Sequence, residues 1–215
     1  GPIVKDKLWF FVSYSYNRSR LTNLGVEVPR DYQGHYLFAK MTYMPANDHE
    51  FVARYFTNPT QIDNVRQSAF ALPEAEATQF QGGGLLRADW RWFISPNTRL
   101  ETRVYTYTNF INVYPTACTE DPTSAYKQCQ PWESEGDIDF NTIGTIGVGN
   151  AYSQDNFYQY TFDDRRRVNV STRLNHYIPD LLGEHQISAG AEFTRLSWDY
   201  TSGFIGNKYQ VNILA

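Results

Sequence analysis

Regular alternation of apolar and polar residues is the feature that most constrains how this chain folds. In residues 84–92 every second residue from Leu86 to Trp92 is apolar, and Arg87, Asp89 and Arg91 stand between them. This period of two is typical of a β-strand with one apolar and one polar face, and a helix would leave no clean apolar stripe here. The same alternation recurs in residues 10–17, 37–43, 51–56, 100–105, 167–175 and 186–194, and begins again at 209–213. We therefore expect an all-β fold of seven strands, or eight with the last stretch.

The connections between these stretches are alternately short and long. The short ones are rich in turn-forming residues and cover 45–48, 95–98 and 179–183. The long ones cover about 19–34, 58–79 and 111–163. Short turns at one end of the strands and long loops at the other are typical of an antiparallel transmembrane β-barrel of the bacterial outer membrane. In such a barrel the turns are periplasmic and the loops extracellular.

The chemistry of the two strand faces agrees with this fold class, because an outer-membrane barrel is apolar outside and polar inside. The residues expected to face lipid are Leu86, Trp90, Trp92, Val168, Val170 and Leu174. The charged residues expected to face the lumen are Arg87, Asp89, Arg91, Glu101, Arg103, Arg165, Arg167, Arg173 and Glu192. The aromatic residues expected to form girdles at the membrane surfaces are Trp9, Tyr16, Tyr36, Tyr43, Trp92, Tyr177 and Trp198.

The excess of Arg on the charged face has two interpretations. A cationic wall could contact a plug inside the barrel or guide an anionic substrate. Alternatively, the Arg residues pair with Asp89, Glu101 and Glu192 of the same wall, since opposite charges across strands are ordinary stabilising pairs.

Composition excludes several other classes of protein. Aromatic residues make up 16% of the chain, which argues against intrinsic disorder. No run of 18 apolar residues is present, so a membrane-spanning helix is not expected. The net charge of -4 disfavours a nucleic-acid partner. The chain begins at Gly1 rather than Met and ends within an alternating stretch, which favours an internal fragment of a longer protein.

Two short segments resemble a known family. The residues Gly1-Pro2-Ile3-Val4-Lys5-Asp6-Lys7-Leu8-Trp9-Phe10-Phe11 resemble the turn and aromatic strand found early in the barrel of TonB-dependent outer-membrane receptors of the Oar-like group. The stretch from Lys40 to Glu50 is similar to the following hairpin of that family, where a Lys-x-Thr-Tyr strand meets a Pro-containing periplasmic turn. The rest of the chain matches the family in strand rhythm only.

The resemblance implies a barrel of about 22 strands with an N-terminal plug, the transporter class of barrel. Residues 1–215 would then be a partial barrel domain without the plug. Such a receptor binds an unidentified ligand at its extracellular loops and transports it across the outer membrane. The implied partners are outer-membrane lipid, the plug and remaining barrel, and the TonB complex.

The long connection at 111–163 carries two candidate sites. Cys118 and Cys129 are predicted to form a disulfide, as paired cysteines in an exported protein commonly do, with free thiols as the alternative. Glu135, Asp137 and Asp139 are a weak candidate for a divalent-cation site, and a solvated acidic surface is the alternative. No cofactor is expected. Because no nucleophile elbow and no His-Glu-x-x-His motif occurs, we do not expect an enzyme.

Two alternatives to the large transporter remain open on the sequence. One is a small closed barrel of eight strands that acts as an adhesin or stability protein at the cell surface. The other is a soluble β-sandwich that binds carbohydrate through exposed Trp and Tyr side chains. In that fold, Trp90 and Trp92 would be buried between two sheets.

Overall fold

The computed structural model describes residues 1–116, 142–146, 153–179, 182–205 and 210–211. Apart from a 3-10 turn at Pro73–Ala75 and a 3-10 residue at Ile205, the regular structure in these residues is β-strand. The strands are β1 (Pro2–Val4), β2 (Leu8–Leu21), β3 (Arg30–Ala46), β4 (His49–Thr57), β5 (Thr60–Asp63), β6 (Ala77–Ser95), β7 (Thr98–Pro115), β8 (Thr145–Ile146), β9 (Gln159–Ile178), β10 (His185–Phe204) and β11 (Gln210–Val211).

Nine of these strands form one antiparallel sheet in the order β1-β2-β3-β4-β6-β7-β9-β10, with β5 inserted between β3 and β6. The predicted all-β antiparallel fold is therefore confirmed, and each of the first seven alternating stretches lies inside one long strand. Apart from β4 and β5, strands that follow one another in this sheet are neighbours, as expected of a meander built from hairpins.

Strand β4 and strand β5 occupy the same place in the sheet, one after the other. Asn58 and Pro59 separate them, and Pro59 has no backbone N–H to give to a ladder. The interruption is bridged, because the amide of Asn58 donates to the Gly83 carbonyl and the amide of His35 donates to the Pro59 carbonyl. The sheet thus continues beyond Pro59, although the sequence predicts a long connection from residue 58 onward.

The long connections are shorter than the sequence predicts. The segment expected at 19–34 shrinks to 22–29, and the one expected at 111–163 shrinks to 116–158. Within the one expected at 58–79, β5 is a strand and β6 already begins at Ala77. The ladder continues in all three places although the apolar and polar residues no longer alternate. Even so, short and long connections still alternate along the chain.

The eighth strand expected at 209–213 does not extend the sheet. In the described part of that stretch, β11 pairs with β8 in parallel, Gln210 opposite Thr145 and Val211 opposite Ile146. Among the described residues the large sheet ends at β10 instead. An alternating pattern in five residues is compatible with any short pairing, and here the partner is a strand within the connection between β7 and β9.

The tight turns lie together at one end of the sheet, which we call the turn end, and the long connections lie at the other, the loop end. The turn end includes the β1–β2 hairpin over residues 5–7, where Asp6 takes a left-handed conformation with φ of 58°. Asp tolerates this conformation better than most residues, which suits it to the turn.

Burial concentrates at the loop end. The buried apolar residues include Ile62, Ala77, Tyr114, Phe157 and Ile205, all near the ends of strands or in connections there. Toward the turn end, many large apolar side chains are exposed, and no second large sheet covers them in the described residues. The face-to-face sandwich considered from the sequence is therefore not the arrangement of these strands.

Candidate functional site

The pairing register separates the side chains of the sheet into two faces. Residues directly opposite each other on neighbouring strands share a face, so one face can be followed from Leu86 through Thr106 to Val168. We call this the apolar face. The other face, followed from Asp89 through Arg103 to Ser171, is the charged face. All six residues expected to face lipid lie on the apolar face, and all nine residues expected to face the lumen lie on the charged face.

Asp89 is the centre of the charged face. It is only 6% exposed and accepts hydrogen bonds from three guanidinium groups. Arg87 bonds both carboxylate oxygens, at 2.7 Å from Nη2 to Oδ1 and 2.8 Å from Nε to Oδ2. Arg103 donates to Oδ1 at 3.0 Å, and Arg54 donates to Oδ2. One carboxylate therefore links three neighbouring strands.

Two smaller ion pairs lie nearer the turn end of the same face. Arg91 pairs with Glu50 at 2.6 Å, and Arg99 pairs with Glu101 at 2.9 Å. Pairing within the wall, the second interpretation of the Arg excess, thus holds for Asp89 and Glu101. Glu192 differs, since the Asn169 side chain donates to it at 2.6 Å and no ion pair forms there among the described residues.

A polar cavity of about 420 Å³ opens on this face across β7, β9 and β10. Its border includes Glu101, Arg103, Arg173 and Glu192, and Gly190 leaves room at its floor. A side chain at Gly190 would meet the Thr172 carbonyl oxygen at 2.6 Å, so the strands approach closely there. The cavity offers charged groups of both signs to whatever packs on the sheet.

Nearer the loop end, the charged face carries a different arrangement. Arg165 pairs with Asp163 at 2.6 Å, and its guanidinium carbon lies 5.6 Å from the centre of the Trp198 ring. The Trp198 indole donates to Asp163 at 2.8 Å. Arg167, one step along the same face, makes no ion pair within the described part of the chain.

The aromatic girdles expected from the sequence are only partly possible. The register puts Tyr16, Tyr43 and Trp92 on the apolar face. It puts the other four on the charged face, so that assignment is wrong for Trp9, Tyr36, Tyr177 and Trp198. These residues were assigned because they lie near strand ends, and nearness to a strand end does not show which face a side chain occupies. On the apolar face near the turn end, the His49 ring packs against the rings of Trp90 and Trp92 at 5.9 and 5.6 Å, and these two rings lie 6.1 Å apart.

Besides Asp163, two acidic side chains are buried at the loop end. Glu76 is fully buried, and neither of its carboxylate oxygens has a hydrogen-bond partner of good geometry. Burial raises the pKa of Glu76, although the backbone amides of Arg66 and Gln67 act in the opposite direction. Burial likewise raises the pKa of Asp63, which accepts hydrogen bonds from Gln61 at 2.7 Å and from Thr78.

The sequence did not predict several of the charged side chains that complete the ion-pair clusters on the charged face. Arg54 and Glu50 join the charged face from β4, and Asp163 and Arg99 join it from β9 and β7. The alternation in residues 51–56 does indicate that Arg54 lies on a polar strand face. It does not identify Asp89 as the partner of Arg54, because a long connection separates β4 from β6 and the sequence does not predict their register.

Several predicted sites lie outside the described residues, namely Cys118, Cys129, Glu135, Asp137 and Asp139. In the described ranges, no group of three or more His, Cys, Asp and Glu residues is arranged to hold a metal ion. Nor do those ranges contain a helix that is long and apolar enough to cross a membrane.

No family model, curated protein or solved structure matches this chain.

Proposed function

We propose that this chain is part of the wall of a TonB-dependent receptor in the bacterial outer membrane, which binds a ligand at its extracellular loops and transports it across that membrane. The observation that carries the proposal is the contrast between the two faces of one sheet. Leu86, Val170 and Phe193 are 55%, 41% and 65% exposed on the apolar face, while the opposite face holds the Asp89 cluster. A sheet face with so many exposed apolar side chains is unfavourable in water and fits a lipid surface.

The length of the apolar band supports the membrane assignment. On β9 the outward residues from Val168 to Leu174 are apolar or Thr, whereas Arg166 and Asp164, next toward the loop end, are charged. A tilted strand crosses the bilayer core in about 9–11 residues. The apolar band of β9, residues 168–174, would therefore lie within the membrane with Arg166 and His176 at its two borders, and the loop end would project beyond it.

The open edges of the sheet support a larger barrel. Among the described residues β10 pairs only with β9, and most of β2 pairs only with β3. Unpaired edge groups are not tolerated in lipid, because the hydrocarbon offers no hydrogen bonds. Further strands would thus have to complete the barrel, which favours the large transporter over a closed barrel formed by these strands alone.

The charged face suits contact with a plug. In the family that residues 1–11 resemble, a plug fills the barrel, and a pull from the TonB complex moves it. The cavity bordered by Arg173 and Glu192 offers charges of both signs to such a domain. Ligand would be captured at the loop end, where the connections are long.

Spin labels on adjacent residues of β9 test the membrane assignment. Val170 and Ser171 point to opposite faces, so each is replaced by Cys in a chain in which Cys118 and Cys129 are Ser. In lipid vesicles, oxygen should relax the label at 170 more strongly, and a water-soluble nickel chelate should relax the label at 171 more strongly. Equal access of the nickel chelate to both positions would exclude a lipid-facing sheet.

A further inference from the structure

One row of side chains on the charged face differs from the rest of that face. Tyr107, Arg167 and Leu196 are direct cross-strand neighbours on β7, β9 and β10. They border an open cavity of about 440 Å³, together with Trp198 and Arg165 one step nearer the loop end. This volume lies within the range of small-molecule sites.

The charge in this cavity is not balanced. Asp163 neutralises Arg165 through paired hydrogen bonds of 3.0 and 2.6 Å. Arg167 has no such partner within the described part of the chain, in contrast to Arg87 and Arg103, which share Asp89. A guanidinium left free beside a cavity can bind a carboxylate in a bidentate manner.

The apolar groups in this cavity are also out of place. Leu196 and Trp198 are 70% and 65% exposed on the charged face, whereas Glu192 and Thr194, which precede them on that face of β10, are polar. The Trp198 ring is held in position, because its indole donates to Asp163 and the Arg165 guanidinium lies over it. A fixed aromatic ring beside an exposed aliphatic side chain is a surface for a flat apolar group.

We propose that this cavity binds a small organic monoanion with a flat apolar body. Arg167 pairs with the anionic group, the body packs on Trp198 and Leu196, and Tyr107 borders the opposite side. The proposal rests on the receptor function above and names the chemical class of ligand for it. It predicts selection for one negative charge, since a neutral analogue of equal shape would leave the guanidinium unpaired.

Calorimetric titration of the full-length protein in detergent micelles tests this inference, with 2-naphthoate as the probe and 2-naphthamide as its neutral match. We expect saturable binding of the acid and at least tenfold weaker binding of the amide. Arg167→Gln should weaken acid binding at least tenfold and leave amide binding unchanged. Trp198→Leu should weaken both.

Two further variants make the result specific. Arg195→Gln removes a guanidinium from the apolar face of β10, next to Leu196, and should leave binding unchanged. Arg167→Lys keeps the charge and should bind the acid more tightly than Arg167→Gln. Equal affinity for acid and amide, or an unchanged affinity in Arg167→Gln, would overturn the proposal, as would the absence of saturable binding.

The binding test and the membrane test can fail independently. Charge-selective binding without lipid access at position 170 would keep the anion site and reject the receptor. Lipid access at position 170 without charge-selective binding would keep the membrane assignment and reject the anion site.

Discussion

Arg103 on β7 and Asp89 on β6 are direct cross-strand partners, and Arg103 Nε donates to Asp89 Oδ1 at 3.0 Å. Arg54 reaches the same carboxylate from β4 on the other side. Three neighbouring strands, of which β4 is separated from β6 and β7 by a long connection, are thereby joined through one buried acid. Such a junction fixes register, because a shift of one residue would move Asp89 to the apolar face.

Replacement of Asp89 by Asn should destabilise the sheet. It would leave three guanidinium groups close together without a counter-charge. We expect a loss of about 2–3 kcal/mol in the free energy of unfolding, which is less than for a fully buried pair because the Arg side chains are partly exposed. Urea unfolding in detergent micelles, followed by Trp fluorescence, measures it.

Glu50→Gln is the matched control for Asp89→Asn. Glu50 pairs with Arg91 alone and is more exposed than Asp89. Its replacement should cost less than about 1 kcal/mol. Equal losses in the two variants would argue that Asp89 does not act as a junction.

Gly83→Ala should force β6 and β7 apart. A Cβ at Gly83 would lie 2.3 Å from the Thr108 carbonyl oxygen, a backbone atom that cannot rotate away. We expect a loss of about 1–3 kcal/mol in unfolding free energy, as for other overpacked sites. At the adjacent Gly84, the nearest atom to a Cβ would be the Thr108 hydroxyl at 3.5 Å, an ordinary contact. Gly84→Ala should therefore cost nothing, and a similar loss in both variants would contradict the close approach.

The sequence predicts the turn end of this sheet well and the loop end poorly. Near the turns, one face is apolar and the other charged, so alternation alone assigned Trp90 and Arg91 to opposite faces. Toward the loops, residues such as Asn17, Gly34 and Gln81 are small or polar on strands that remain paired. Backbone hydrogen bonds continue there without any apolar pattern to reveal them.

The pairing of charged groups could not be predicted because it depends on register between strands that are distant in sequence. Arg91 lies directly opposite Glu101 on β7, but it bonds to Glu50 on the other side. Likewise, the residues next to Glu76 in the sequence give no indication that its side chain is buried. Its environment comes from residues 65–68 folding back, with the Val65 amide donating to the Ala77 carbonyl.

The two ends of the sheet should differ in accessibility on intact cells. Leu24, in the connection between β2 and β3, and Asn47, in the turn between β3 and β4, are both exposed. In a chain with Cys118 and Cys129 replaced by Ser, Leu24→Cys should react with a membrane-impermeant maleimide on intact cells. Asn47→Cys should react only after the outer membrane is opened. Labelling of Asn47→Cys on intact cells would reverse the proposed orientation.

Glu76 should make the loop end more stable in acid. Because its pKa is raised in the folded protein, folding favours the protonated form. Its stabilising contribution is full below the ordinary Glu pKa of about 4.3 and is lost as the pH rises through the higher folded pKa. Hydrogen exchange of the amides of residues 65–68, corrected for intrinsic rates, should therefore show more protection near pH 4 than at pH 7. In Glu76→Gln this difference should become smaller, because only Asp63, whose pKa burial also raises, still contributes to it. In Asp63→Asn the contribution of Glu76 should remain. Protection that rises with pH in the wild-type chain would contradict the raised pKa of Glu76.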